Sequence, residues 1–341
     1  MKYVKGDIFT KDGFKKGCIG FEHNKIVEIR SDCPNKSIVD GFIVPTFINS
    51  HTHIGDSFIK TRDVDLPHNL IKLVAPPHGL KHRLLKDASD VEIIGGMKRS
   101  IQDMIKSGIS CFCDFREGGI DGINQIRNAM RGKKNIDSVV LSRPKDMTYD
   151  RTEIDLLLQN SDGIGISSIS DWNYSDVKKI SYHVHQQKKI FALHASEMIR
   201  EDIDLILDSK PDFLIHMTKA TKSDLIRVKD NDIPIVLCPR SNAFFGLKTN
   251  AELMKKIGLN LMLGTDNAML NTPNILDELK YLKKNTKGFS IEELMYMITY
   301  NPRKALNLDC DILVQNSPSN FVVLDRGSLE IVYVPNYMVE G

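Results

Sequence analysis

Short apolar runs alternate with amphipathic stretches along most of this chain. The runs that predict strands are Phe42–Asn49, Ile109–Phe115, Ser138–Ser142, Gly163–Ser168, Ile190–His194, Phe213–His216, Ile233–Cys238 and Asn260–Gly264. The stretches between them have helical spacing. Val91 to Lys106 carries Val91, Ile94, Met97, Ile101, Met104 and Ile105, which fits a period of about 3.6 residues. Similar helices fit Ile123–Met130, Asp176–Lys188, Ile199–Leu207, Lys222–Lys229, Ala251–Ile257 and Ile275–Lys284. The last predicted helix, Ile291–Leu306, has Ser290 as its cap and Glu292 and Glu293 in its first turn.

Strand–helix units in succession predict a parallel sheet, because parallel strands need crossover connections. The expected fold class is α/β: a (β/α)8 TIM barrel over 45–309, the catalytic domain. The ends differ. Val4–Phe9, Cys18–Phe21 and Lys25–Ile29 are separated by turns, and Ile312–Val314, Phe321–Leu324 and Ile331–Val334 repeat that style. Segments 1–44 and 310–341 are therefore expected to pair in space as a small β-sandwich.

Composition narrows the class. With 41% hydrophobic and 26% charged residues, the chain of 341 residues is globular in character, not disordered or fibrous. Lys+Arg 46 against Asp+Glu 44 gives a net charge of +2, with no basic field to attract nucleic acid or a membrane surface. No stretch approaches the ~20 apolar residues of a membrane span, and Met1–Phe14 lacks the apolar core of a signal peptide. The six cysteines form no CxxC pair, which fits reduced thiols in a cytoplasm. Cys111 and Cys113 could share one strand face and read as core.

The chemistry gathers at strand ends. His51 and His53 close the first barrel strand at i and i+2, so their side chains point the same way. His194 ends the fifth strand, His216 the sixth and Asp266 the eighth. In a parallel barrel these ends converge on one mouth, and imidazoles with a carboxylate suit a divalent ion with an open position. His183 and His185 also form an HxH, but inside a predicted helix, where i and i+2 do not face each other; that pair reads as surface. His78 and His82 follow Pro76-Pro77 and read as loop. Arg116, Glu117, Arg143, Trp172, Arg240 and Asn242 follow other strand ends and are candidates for substrate binding. Residues 56–86 form a long excursion after the first strand, rich in Arg62, His68, His78, Lys81, His82 and Arg83, in the place of a lid.

Several of these segments carry a family resemblance. GFIVPTFINSHTH at 41–53, HASE at 194–197, CPRSNAFFG at 238–246, LGTDNA at 263–268, NPRKALNL at 301–308 and SPSNFVVLD at 317–325 resemble, in this order, the metal-dependent amidohydrolase superfamily. The similarity is to its cytosine deaminase, S-adenosylhomocysteine deaminase and chlorohydrolase branch. The resemblance implies that His51, His53, His194 and Asp266 are metal ligands, that Glu197 shuttles protons and that His216 polarises the substrate. Asp266 would also help remove a proton from the attacking water. Binuclear relatives carry a carboxylated lysine on the fourth strand; here that strand reads Gly163-Ile164-Gly165-Ile166, which implies a single divalent ion. Zinc suits the ligand set, and relatives also use iron. The implied reaction is hydrolytic deamination of a purine, pyrimidine or related heterocycle. The alternatives are ring-amide hydrolysis, as in imidazolonepropionase-like relatives, and a scaffold without catalysis. The expected partner is a small heterocyclic substrate, with no nucleic acid and no membrane; a homo-oligomer is compatible with the sequence. The 56–86 excursion departs from the tryptophan- and glutamate-containing pattern of well-known deaminases.

Overall fold

The computed structural model describes residues 1–34 and 36–335; residue 35 and residues 336–341, which fall within the expected end segments, lie outside the described residues. The strands in chain order are β1 (Lys2–Thr10), β2 (Gly13–Glu22), β3 (Lys25–Arg30), β4 (Asp40–Pro45), β5 (Phe47–His53), β6 (Ile109–Arg116), β7 (Asp137–Ser142), β8 (Gly163–Ile166), β9 (Ile190–Ala195), β10 (Phe213–His216), β11 (Ile235–Leu237), β12 (Leu261–Leu263), β13 (Asp266–Asn267), β14 (Phe321–Leu324) and β15 (Ile331–Tyr333). The fold is mixed α/β. Its main sheet is curled and parallel, with nine strands in the order β12-β11-β10-β9-β8-β7-β6-β5-β13. β12 and β13 stand at opposite ends of that order, yet only Gly264 and Thr265 separate them. Residues 261–267 thus pair with β11 on one side and β5 on the other.

Side-chain alternation divides the apolar residues into two clusters. Ile48, Cys111, Cys113, Phe115, Ala192, Phe213 and Ile215 fill one side of the sheet; Phe112, Leu193 and Leu214 pack on the other side, under the helices. Cys111 and Cys113 are core residues, as expected. The two ends of the chain form one six-stranded sheet, β15-β14-β4-β1-β2-β3, with its own apolar cluster around Val4, Ile19, Ile43 and Phe321.

Several predicted elements are corrected. Phe42–Asn49 is two strands in different sheets, broken at Thr46, with β5 running on to His53. Ile312–Val314 is not a strand; Leu313 has φ 55° and buries its side chain against the end sheet. Ile291–Leu306 is two helices, Ile291–Ile298 and Tyr300–Ala305, which meet at Thr299 (φ −128°, ψ −80°). The helix predicted from Ile199 begins at Ile203, capped by Asp202. Helix Arg151–Asn160, capped by Asp150, was not foreseen. In helix Asp90–Lys106 the buried stripe starts at Ile93, and Val91 is 81% exposed. His183 is not a free surface group: its ring reaches Asp155 and Tyr149. The 56–86 excursion holds a 3-10 helix, Ile54–Thr61, and two short α-helices, Leu70–Val74 and Leu80–Asp87, so His82 is helical.

Candidate active site

Local irregularities aim the polar groups. β5 pairs in register with β6 at Asn49↔Phe112, but the next pair is Thr52↔Asp114, so β5 bulges by one residue there. A bulge shifts side-chain parity. It turns His51 and His53 to the side that Ile48 occupies, and the His51 ring packs 4.4 Å from the ring of Phe115. His194 follows the inward parity of Ile190 and Ala192 on β9. His216 does not follow that of Ile215; its φ of 75°, followed by 55° at Met217, breaks the strand and brings the ring to the same place. Asp266 has φ 59°. Non-glycine residues in this region are strained, and such strain clusters at functional sites. Gly165 on β8 leaves room for the Phe115 ring, since a Cβ there would sit 2.6 Å from Phe115 Cδ1.

These turns bring the predicted residues together. His194 Nε2 lies 3.2 Å from His51 Nε2 and 3.4 Å from His53 Nε2. Asp266 Oδ1 lies 3.3 Å from His51 Nε2 and 3.6 Å from His53 Nε2. His51, His194, His216 and Asp266 each offer a donor atom within 4.8 Å of the others. A tetrahedral ion with bonds of about 2.0–2.1 Å separates its donors by about 3.3–3.4 Å, which the 3.2–3.6 Å spacings among His51, His53, His194 and Asp266 fit.

Proton bookkeeping sharpens the fit. His194 Nδ1 faces the Ile166 carbonyl at 2.9 Å, and His53 Nδ1 faces the Phe115 carbonyl at 3.1 Å and Glu117 Oε1 at 2.9 Å. Carbonyl and carboxylate oxygens only accept, so each Nδ1 carries the proton and each Nε2 presents a lone pair. Burial holds His53 neutral, down to about 3, and pushes His194 well below its ordinary range. Buried lone pairs that face each other need a cation between them. Burial also works against ionisation of Asp266, but the hydrogen bond from His51 and the neighbouring imidazoles outweigh it and hold the carboxyl well below its usual range. Ser241 Oγ and Asn267 Nδ2 donate to its two oxygens. The group of His51, His194, His216 and Asp266 fits a divalent metal, and His53 lies beside it.

His216 differs. Asn242 Nδ2 donates to Glu197 Oε1 at 3.0 Å and lies 3.2 Å from His216 Nδ1. An amide N–H faces an acceptor, which leaves the proton on His216 Nε2, 3.4 Å from Glu197 Oε1. Burial, reinforced by the charge of Asp266, pushes the Glu197 carboxyl well above its usual range. The sharp turn at Ser196 (φ 46°) that presents Glu197 is held by Glu201, which accepts from Ser196 N at 2.7 Å.

These groups open on a cavity of about 400 Å³, within the usual range for small-molecule sites. Its wall includes Glu197, His216, Arg143 and Asp171. Leu70, Ile71, Val74 and His82 from the 56–86 excursion complete it. Of the residues expected to bind substrate, Arg143 and Glu117 face this space. Glu117 is engaged with Arg116 at 2.7 Å and Lys81 at 2.6 Å. The others are placed elsewhere among the described residues. Arg116 is 1% exposed beneath Glu117; Trp172 Nε1 donates to Ser167 Oγ; Arg240 pairs with Glu278 at 2.6 Å; Asn242 sits behind Glu197 and His216. Strand-end position alone did not distinguish a rim residue from one folded back into the wall. Lys81 reads only as one charge of the 56–86 excursion, Asn267 lies within LGTDNA without a role of its own, and Asp114 stands two residues before Arg116.

The chain's family marks it as a hydrolase acting on carbon–nitrogen bonds other than peptide bonds. The chain belongs to the amidohydrolase family, which it matches over residues 42–330. It is 34% identical to an uncharacterized protein of Methanocaldococcus jannaschii over 91% of this chain and 82% of that protein. It is 23% identical to a 5-methylthioadenosine/S-adenosylhomocysteine deaminase of Thermoanaerobacter pseudethanolicus, over 95% of this chain and 80% of that protein. The crystal structure of Helicobacter pylori aminofutalosine deaminase in complex with methylthio-coformycin has the same fold. Its TM-score is 0.71 at 15% identity, covering 95% of this chain and 92% of that one. Among the described residues no helix is long and apolar enough to cross a membrane.

Proposed function

We propose that the chain deaminates a purine, pyrimidine or related aminated heterocycle in the 400 Å³ cavity, using one divalent ion. The observation that carries this reading is the meeting of His51, His53, His194 and Asp266, with spacings of 3.2–3.6 Å, beside the carboxyl of Glu197. These four residues would hold the ion, and zinc suits nitrogen and oxygen donors in this arrangement. The curled sheet reads as a (β/α)8 barrel closed by residues 261–267. On this reading 45–309 is the catalytic domain, and segments 1–44 and 310–341 are the accessory β-unit. The relatives named as deaminases support the reaction type.

A bound divalent cation supplies Lewis acidity that brings the acidity of water near neutral pH. The chain's own residues do the rest. Asp266 takes a proton from the attacking water as the carbon–oxygen bond forms. Glu197 gives its proton to the ring nitrogen beside the reacting carbon; the proton taken by Asp266 passes to the amine, which leaves as ammonia, and the hydroxyl proton of the new oxygen returns to Glu197 as the carbon–oxygen double bond forms. His216 donates a hydrogen bond from its Nε2–H to the new oxygen. Asn242 holds Glu197 and His216 in position for these transfers. The apolar wall of the 56–86 excursion excludes water from the far side of the cavity.

Two measurements test the proposal. Purified protein should contain about one metal ion per chain, and a panel of aminated heterocycles should include one that releases ammonia. A metal-replete protein that opens ring amides, without ammonia, would replace deamination with ring-amide hydrolysis.

A further inference from the structure

Lys81 stands where the 56–86 excursion meets the site. It lies on helix Leu80–Asp87 and is 2% exposed. Its Nζ is 2.6 Å from Glu117 Oε1 and 3.3 Å from Asp56 Oδ2, and it donates to Asn267 Oδ1 at 3.0 Å. Each contact leads back to the site. Glu117 Oε1 is 2.9 Å from His53 Nδ1. Asn267 Nδ2 donates to Asp266 Oδ1 at 3.0 Å. Asp56 Oδ1 accepts from Met269 N at 2.8 Å, just past Asn267.

An ammonium group can only donate. Toward Glu117 it stabilises the carboxylate, which holds the proton on His53 Nδ1 and leaves Nε2 a free lone pair. Toward Asn267 it fixes the amide with its oxygen to Lys81 and its N–H to Asp266. One side chain therefore orients two of the groups that would hold the ion, one on each of two paired strands. We propose that Lys81 is a positioning residue that makes ion binding depend on the docking of the 80–87 helix. The proposal rests on the metal reading above. Thermodynamic linkage then requires the converse: a bound ion holds the helix down.

The probe is Co2+ added to the metal-free full chain, read by its visible absorption and by hydrogen exchange. In the wild type, Co2+ should slow exchange of the amides of residues 80–87. Lys81→Met should weaken Co2+ binding by roughly 10- to 100-fold, as loss of a partner behind a ligand typically does. It should also alter the visible band and abolish the protection at 80–87. Lys81→Arg, which keeps charge and donors, should recover part of the affinity. If Lys81→Met does not fold, Lys81→Gln and the exchange experiment on the wild type carry the test. A wild type that takes up no Co2+ overturns the metal reading and this proposal with it. A wild type that binds, with Lys81→Met or Lys81→Gln equal to it in affinity and spectrum, or with exchange at 80–87 unaffected by Co2+, overturns this proposal alone.

Discussion

Asn242 donates to Glu197 Oε1 at 3.0 Å while its Nδ2 also lies 3.2 Å from His216 Nδ1. One amide thus sets the rotamer of an acid and the tautomer of an imidazole. The amide is kept from flipping by Thr249 Oγ1, which donates to its oxygen at 3.4 Å. Replacing Asn242 by Ala leaves both groups without this partner in a buried setting, at a cost of about 1–3 kcal/mol. Turnover should fall roughly 10- to 100-fold with the metal content unchanged. Steady-state ammonia release on the metal-replete variant checks this; an unchanged kcat would remove Asn242 from the mechanism.

Glu197→Gln keeps shape and the contact with Asn242 but removes the transferable proton. We expect turnover to drop by about 100- to 10,000-fold, the usual worth of a general acid–base group, with stoichiometric metal retained. Full activity in this variant would show that another group moves the proton.

His194 contributes one of the converging Nε2 atoms, 3.2 Å from His51 and 3.4 Å from His53. His194→Ala should lose the ion. Ligand binding to the folded state at 100 times its dissociation constant stabilises by about 2.7 kcal/mol. Added Zn2+ should therefore raise the thermal midpoint of metal-free wild type but not that of the variant. Equal shifts in the two proteins would place the ion elsewhere.

Gly55 permits the Arg116 guanidinium to lie directly against the backbone. A Cβ at this position would fall 2.0 Å from Arg116 Nη1 and 2.1 Å from Nη2. Arg116 is 1% exposed and tied to Glu117, so it has no room to retreat. Gly55→Ala should destabilise the fold by about 1–3 kcal/mol, the range for overpacking. Denaturant titration checks this, and a variant as stable as wild type would mean that Arg116 can move aside.

Arg200 grips Asp224 with two hydrogen bonds, of 2.7 and 2.8 Å. The hydrogen bonds from Arg200 hold the Asp224 carboxyl well below its usual range. A carboxyl depressed in the folded state stabilises fully above its unfolded value, about 3.9, and progressively less as pH falls below it, because the unfolded chain takes up the proton first. Arg200 is half exposed, so solvent screening keeps the effect small. Stability of wild type and Arg200→Met, followed by denaturant titration at successively lower pH, should converge through that window. A constant difference would mean the pairing is not electrostatic.

The sequence by itself determined the parts that depend on local periodicity. Strand and helix order followed from side-chain alternation and 3.6-residue spacing, because a buried strand or stripe must be apolar wherever the chain folds it. The convergence of His51, His53, His194 and Asp266 was legible for a related reason: strands in a parallel sheet all end on the same side. Tertiary structure decided what local pattern cannot encode. The bulge at Asn49–Thr52 set which side of the sheet received His51 and His53, and the left-handed turn at His216 reversed its parity. Arg116 and Arg240 read as candidates for substrate binding but fold back onto Glu117 and Glu278. Lys81 read as one charge among several in a loop, yet it is buried in the wall of the site. Whether a long charged side chain faces solvent or a buried carboxylate depends on what distant segments bring beside it, and that information is not carried by its neighbours in the chain.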